Sequence, residues 1–223
     1  MASSDPIPRP APWLAHAPVP EDLRAWAATH ESFAQAWAGC GRPDWLVAMG
    51  IAAGVDRALV VAVACDCIER ACAGQGLPEA WAMAKRWTRG EVDGREAWAA
   101  GFRASAAARA ARSPRERTVL QATAAAAFAC DPEADDGYYA ERAHAAEAVR
   151  LATLLSPTRR CELAAHVRRR IEGGRVLGGL EALARRATTP PAPFEPAEPG
   201  DLERAAPAVT ARTLLRLRAR RPG

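Results

Sequence analysis

The sequence predicts an all-α fold, a single bundle of about eight helices, on three observations. Alanine supplies 55 of the 223 residues and aromatic side chains only 13. Alanine is the strongest helix former and permits close helix contact, whereas sandwiches and barrels draw on β-branched and aromatic residues. Helix start and stop signals recur at short intervals from Pro20 to Ala187, with proline or a capping residue ahead of each apolar stretch. The one run that could be a buried strand, Leu59 to Cys65, has no second β-rich run to pair with, and its pattern continues helically through Ile68, Ala71 and Cys72.

Residues 1–19 read as an extended, loosely packed proline-rich arm, because proline fixes its own torsion and biases the preceding residue away from the helix. A first helix is expected from Pro20 to Ala38, with Glu21 and Asp22 in its first turn and Gly39 and Gly41 closing it. Pro43 opens a second to about Ala53. Asp56 caps a third, apolar nearly all round and therefore the central buried helix. A fourth spans Pro78 to Thr88. Asp93 with Glu96, then Ser113 with Glu116, stand at capping-box spacing and open helices to about Arg112 and Cys130. A turn through Asp131 to Asp136 leads to a helix from about Gly137 to Leu155. Ser156 and Pro157 start the next, ended by Gly173 and Gly174, and a last piece runs from Leu177 to Ala187. The helical domain is thus 20–187, followed by a proline-rich linker at 188–200 and a basic tail at 201–223.

No stretch approaches the ~20 apolar residues of a membrane span. The first twenty residues carry six prolines and no charged start before an apolar run, unlike a secretory leader, so a cytoplasmic, bacterial-type protein is expected. Cys40, Cys65, Cys67, Cys72, Cys130 and Cys161 read as reduced, mostly core thiols. Cys65, Cys67 and Cys72 do not share one helix face and form no C-x-x-C element, so no metal is expected there. Glu141 with His144 and Glu162 with His166 fall short of a di-iron carboxylate pattern.

Asp44-Trp45-Leu46, then Ala64-Cys65-Asp66-Cys67-Ile68-Glu69-Arg70, then Ala84-Lys85-Arg86-Trp87-Thr88-Arg89-Gly90-Glu91 leading into alanine-rich helices, occur in one order over about residues 26–170. In that order they resemble a family of alanine-rich bacterial and phage immunity proteins. The resemblance implies an all-helical fold and a role in neutralising a toxin by binding it, and it supplies no catalytic residues. The linker and tail extend beyond the region of likeness.

Nucleophile elbows, phosphate-binding glycine loops and dinucleotide fingerprints are all missing from the sequence, so the expectation is a non-catalytic protein-binding chain with no cofactor. Asp66 and Glu69 on the apolar third helix need partners if buried, and Arg70 or Arg57 could supply one; the group reads either as a structural ion pair at a helix interface or as a partner-binding site with Asp66, Glu69 and Arg70 as its candidate residues. In the tail, Arg212, Arg216 and Arg220 recur every four residues beside Leu214, Leu215 and Leu217, a basic amphipathic segment. Residues 157–223 hold fourteen arginines and seven acids, which makes a nucleic-acid-associated accessory protein the alternative reading. Trp26, Trp37 and Trp45 could serve either core or contact surface.

Overall fold

The computed structural model describes residues 11–131 and 143–188. Among them are ten α-helices and no strand, so the bundle is all-α as expected. The helices are α1 (Glu21–Ala27), α2 (Phe33–Gly39), α3 (Pro43–Ala52), α4 (Arg57–Ala71), α5 (Glu79–Trp87), α6 (Gly94–Ala110), α7 (Pro114–Phe128), α8 (His144–Leu155), α9 (Arg160–Arg170) and α10 (Gly173–Thr188). Short 3-10 turns at Pro12–Leu14 and Pro157–Arg159 precede α1 and α9. The chain divides into two units, Met1–Thr188 and Thr189–Gly223. The second contains most of the expected linker and the whole tail, with Arg212, Arg216 and Arg220, and lies outside the described residues.

Local chemistry sets most helix starts. Asp56 accepts from the Leu59 amide, Ser113 from the Glu116 amide, and Asp93 with Glu96 closes both halves of a capping box, each satisfying N–H groups that a helix end leaves orphaned. Around α4, whose Val60, Val61, Val63, Ala64, Cys65, Cys67 and Ile68 are buried, pack α5, α7, α8 and α9. Helices α5, α6 and α7 meet through a small alanine layer of Ala80, Ala100, Ala104, Ala124 and Ala127, where the lack of bulk lets the backbones approach closely. At the carboxyl ends, arginines replace water as partners for free carbonyls. Arg159 donates to the Arg70 carbonyl at 2.7 Å, Arg115 to that of Leu155 at 3.2 Å, and Arg168 to that of Cys40 at 2.7 Å.

Three expectations are corrected, and a fourth is only partly visible. The single helix from Pro20 to Ala38 is two, because Thr29 Oγ1 bonds back to the Trp26 carbonyl while Ser32 caps α2 through the Gln35 amide. Gly173 and Gly174 do not merely stop α9, which ends at Arg170; they begin α10. The described part of the arm, 11–19, is not loosely packed. Ala11, Leu14, Ala17 and Val19 are buried in the core, and Arg24 fastens them by donating to the Ala17 carbonyl at 3.0 Å. The expected helix from Gly137 is seen only from His144, its earlier part lying outside the described residues. No helix among the described residues is long and apolar enough to cross a membrane. Trp37 and Trp45 are buried and Trp26 is half-buried against the core, whereas Trp98 is exposed.

Candidate functional site

The last turns of α4 present one polar face outward while the other stays in the core. Cys65, Ile68 and Cys72 stay buried, while Asp66 and Arg70 are half-buried and Glu69 is exposed. The carboxylates are therefore less buried than the sequence suggests, and their partner is neither Arg70 nor Arg57. It is Lys85, the one lysine in the chain, which reaches from α5 with Nζ 3.1 Å from Asp66 Oδ1 and 3.0 Å from Glu69 Oε2. Arg57 stands nine residues earlier, about 13 Å along the helix axis, and donates to the Asp131 carbonyl. Arg70 instead meets Glu162 of α9 at 3.5 Å.

Trp81 fixes this arrangement. Its indole N–H donates to the Cys65 carbonyl at 3.1 Å, pinning α5 to α4, and Lys85 lies one turn further along the same face of α5 with its ammonium 5.2 Å from the indole centre. Partial burial pulls the Lys85 pKa down, but the hydrogen bonds it donates to Glu69 and Asp66, with their charges, outweigh it, so the ammonium is held above the ordinary lysine value.

Behind Asp66 lies His166 of α9, buried, with Nε2 3.3 Å from Asp66 Oδ2. The geometry does not meet that of a hydrogen bond, so the buried ring nitrogen lies beside the carboxylate without one, and the contact becomes an ion pair only when the ring is protonated. Burial lowers the His166 pKa, the Arg70 and Arg169 charges add to the fall, and Asp66 opposes it without restoring the ordinary value. The unfolded chain thus binds this proton more readily than the folded one. Stability should be whole above about pH 6.5 and decline as the pH falls through the window beneath, until the folded ring also protonates. One group can contribute no more than about 1.4 kcal/mol per pH unit. Urea unfolding across this window should show His166→Gln with a shallower decline than the native protein; an unchanged slope would assign the titration to another group.

These side chains border an open groove of about 670 Å³. One wall carries Asp66, Glu69 and Arg70, another Arg159 and Glu162, and Trp81, Leu77 and the turn at 72–75 complete it. The turn passes through Gly74, whose φ of +82° is a left-handed conformation that glycine adopts without steric cost. Charges of both signs are thus held in place by neighbours before anything binds. A second cavity of about 760 Å³ between α1, α3 and α8 is lined by Arg42 and Asp44, which pair with each other, and by Glu147 and Arg150, which do likewise.

The thiols offer no nucleophile in the core. Burial raises the pKa of Cys65 and pushes Cys67 and Cys130 up to about 12, so they stay protonated at neutral pH. Among the described residues, no three His, Cys, Asp or Glu side chains stand close enough together to hold a metal ion. Compared with family models, curated proteins and solved structures, the chain matches none.

Proposed function

We propose that this chain is a non-catalytic protein-binding module of the immunity-protein kind, which neutralises a toxin or other partner protein by direct contact at the groove between α4, α5 and α9. The observation that carries the reading is the preset charge pattern of the groove. Lys85 fixes Asp66 and Glu69, Arg70 meets Glu162, and Arg159 is tied to the α4 carboxyl end, all around a half-buried tryptophan. Charges held before binding lose little side-chain entropy on association, and complementary placement gives specificity and fast encounter. Tryptophan and arginine are also the side chains that most often dominate protein interfaces.

The test is affinity capture from host lysate with nuclease present, using full-length native protein and the Glu69→Arg/Glu162→Arg variant. Both positions are about half exposed, so the variant should fold. The native protein is expected to retain one stoichiometric protein that the variant loses about tenfold or more. Retention of nucleic acid alone, released by salt, would move the function to the arginine-rich end.

A further inference from the structure

The helix α6 has two dissimilar faces. Ala97, Ala100, Gly101, Ala104 and Ala108 are buried against its neighbours. On the opposite side a turn of 100° per residue brings Arg95, Trp98, Phe102 and Arg109 within about 60° of one another, a stripe running about 21 Å along the axis. Trp98 and Phe102 stack at 5.5 Å between ring centres and remain 41% and 55% exposed. Phe128 of α7 extends the aromatic row, 6.0 Å from Trp98. Large apolar side chains left together in water mark a contact surface more often than chance exposure does.

The ends of the stripe say what covers it. Glu96 is occupied in the capping box and Glu79 by Arg103 at 2.9 Å, whereas Arg95 and Arg109 have no ion pair or hydrogen bond among the described residues. A second copy laid antiparallel on this face would set Arg95 against Arg109, and one laid parallel would set each arginine against itself. Either way like charges meet at both ends. A polynucleotide would place a row of phosphates over the apolar middle, where no cation awaits them.

We infer that the solvent face of α6 docks an amphipathic helix of a partner protein, its apolar side on Trp98 and Phe102 and its carboxylates on Arg95 and Arg109. This surface is separate from the groove and does not depend on the groove's role. Its mode is a helix laid along a helix, with anchors at helical spacing and charges setting register.

The test uses the full-length protein and a labelled helical peptide of about 18 residues with a leucine stripe and two glutamates fourteen positions apart, beside a twin carrying lysines there. Fluorescence anisotropy should give about tenfold tighter binding of the glutamate peptide. Arg95→Glu/Arg109→Glu should invert that preference, and Trp98→Ala/Phe102→Ala should weaken both peptides about tenfold. The variants alter exposed positions, and circular dichroism confirms that they stay folded. Equal affinity for the two peptides, or binding indifferent to the aromatic variant, would overturn the inference. So would oligothymidylate binding that Trp98→Ala/Phe102→Ala abolishes, or self-association through these residues seen by sedimentation.

Discussion

Gly179→Ala is expected to cost about 2–3 kcal/mol of stability, while Gly178→Ala one position earlier should gain up to about 1 kcal/mol. Both glycines lie inside α10, where alanine is the better helix former, so propensity alone would favour both changes. Space separates them. A Cβ on Gly178 meets nothing within 4 Å, but one on Gly179 would sit inside the van der Waals shell of the Ala53 carbonyl oxygen at the end of α3. That neighbour is backbone and cannot rotate aside, so α10 must move away from α3 and lose its seat. Van der Waals repulsion against fixed backbone outweighs a propensity gain of about 1 kcal/mol. Urea unfolding of the two variants should shift the midpoint in opposite directions. If both rise, α10 does not pack on α3 as described.

Leu14→Ala should destabilise the protein by about 2–5 kcal/mol, an effect that a loose amino-terminal arm could not produce. Leu14 is completely buried, and the turn that carries it packs against α10. Truncating it leaves a cavity that a close-packed core collapses around only in part, so the loss combines transfer and cavity costs. His16 on the same segment is exposed, and His16→Ala should change stability by less than about 0.5 kcal/mol. Thermal unfolding of the pair checks this directly; equal and small shifts would mean that residues 11–19 do not belong to the core.

The all-α class and most helix starts were legible because they rest on short-range chemistry: Asp56, Asp93 with Glu96, and Ser113 with Glu116 cap the helices that their spacing predicts. The break before α2 carried the same signal, Ser32 three residues ahead of Gln35, but was hidden by apolar periodicity running across it. The start of α10 was not legible, since two adjacent glycines read locally as a stop. Their use comes from contacts distant in sequence: a Cβ on Gly173 would collide with the Trp37 ring. For the arm, proline content pointed to extended chain, and nothing local named the helix that covers Leu14.

At the groove, Asp66, Glu69 and Arg70 were identifiable as charges on an apolar helix. Their true partner was not, because Lys85 and His166 come from α5 and α9, sixteen and about one hundred residues away. A lone lysine among twenty-nine arginines, one turn after a tryptophan, was the available hint. The aromatic stripe on α6 went unread because periodicity locates two faces of a helix without saying which neighbours are large enough to cover both.

The most direct test of groove-mediated protein binding is site-specific photocrosslinking in the host. A photoreactive side chain replaces exposed Gln75 at the groove edge, with Glu181 on α10 as the control position. After nuclease treatment, the account predicts one discrete protein adduct from position 75, none from position 181, and the same adduct when residues 189–223 are deleted. No adduct at position 75, or capture of nucleic acid that disappears with that deletion, would contradict it.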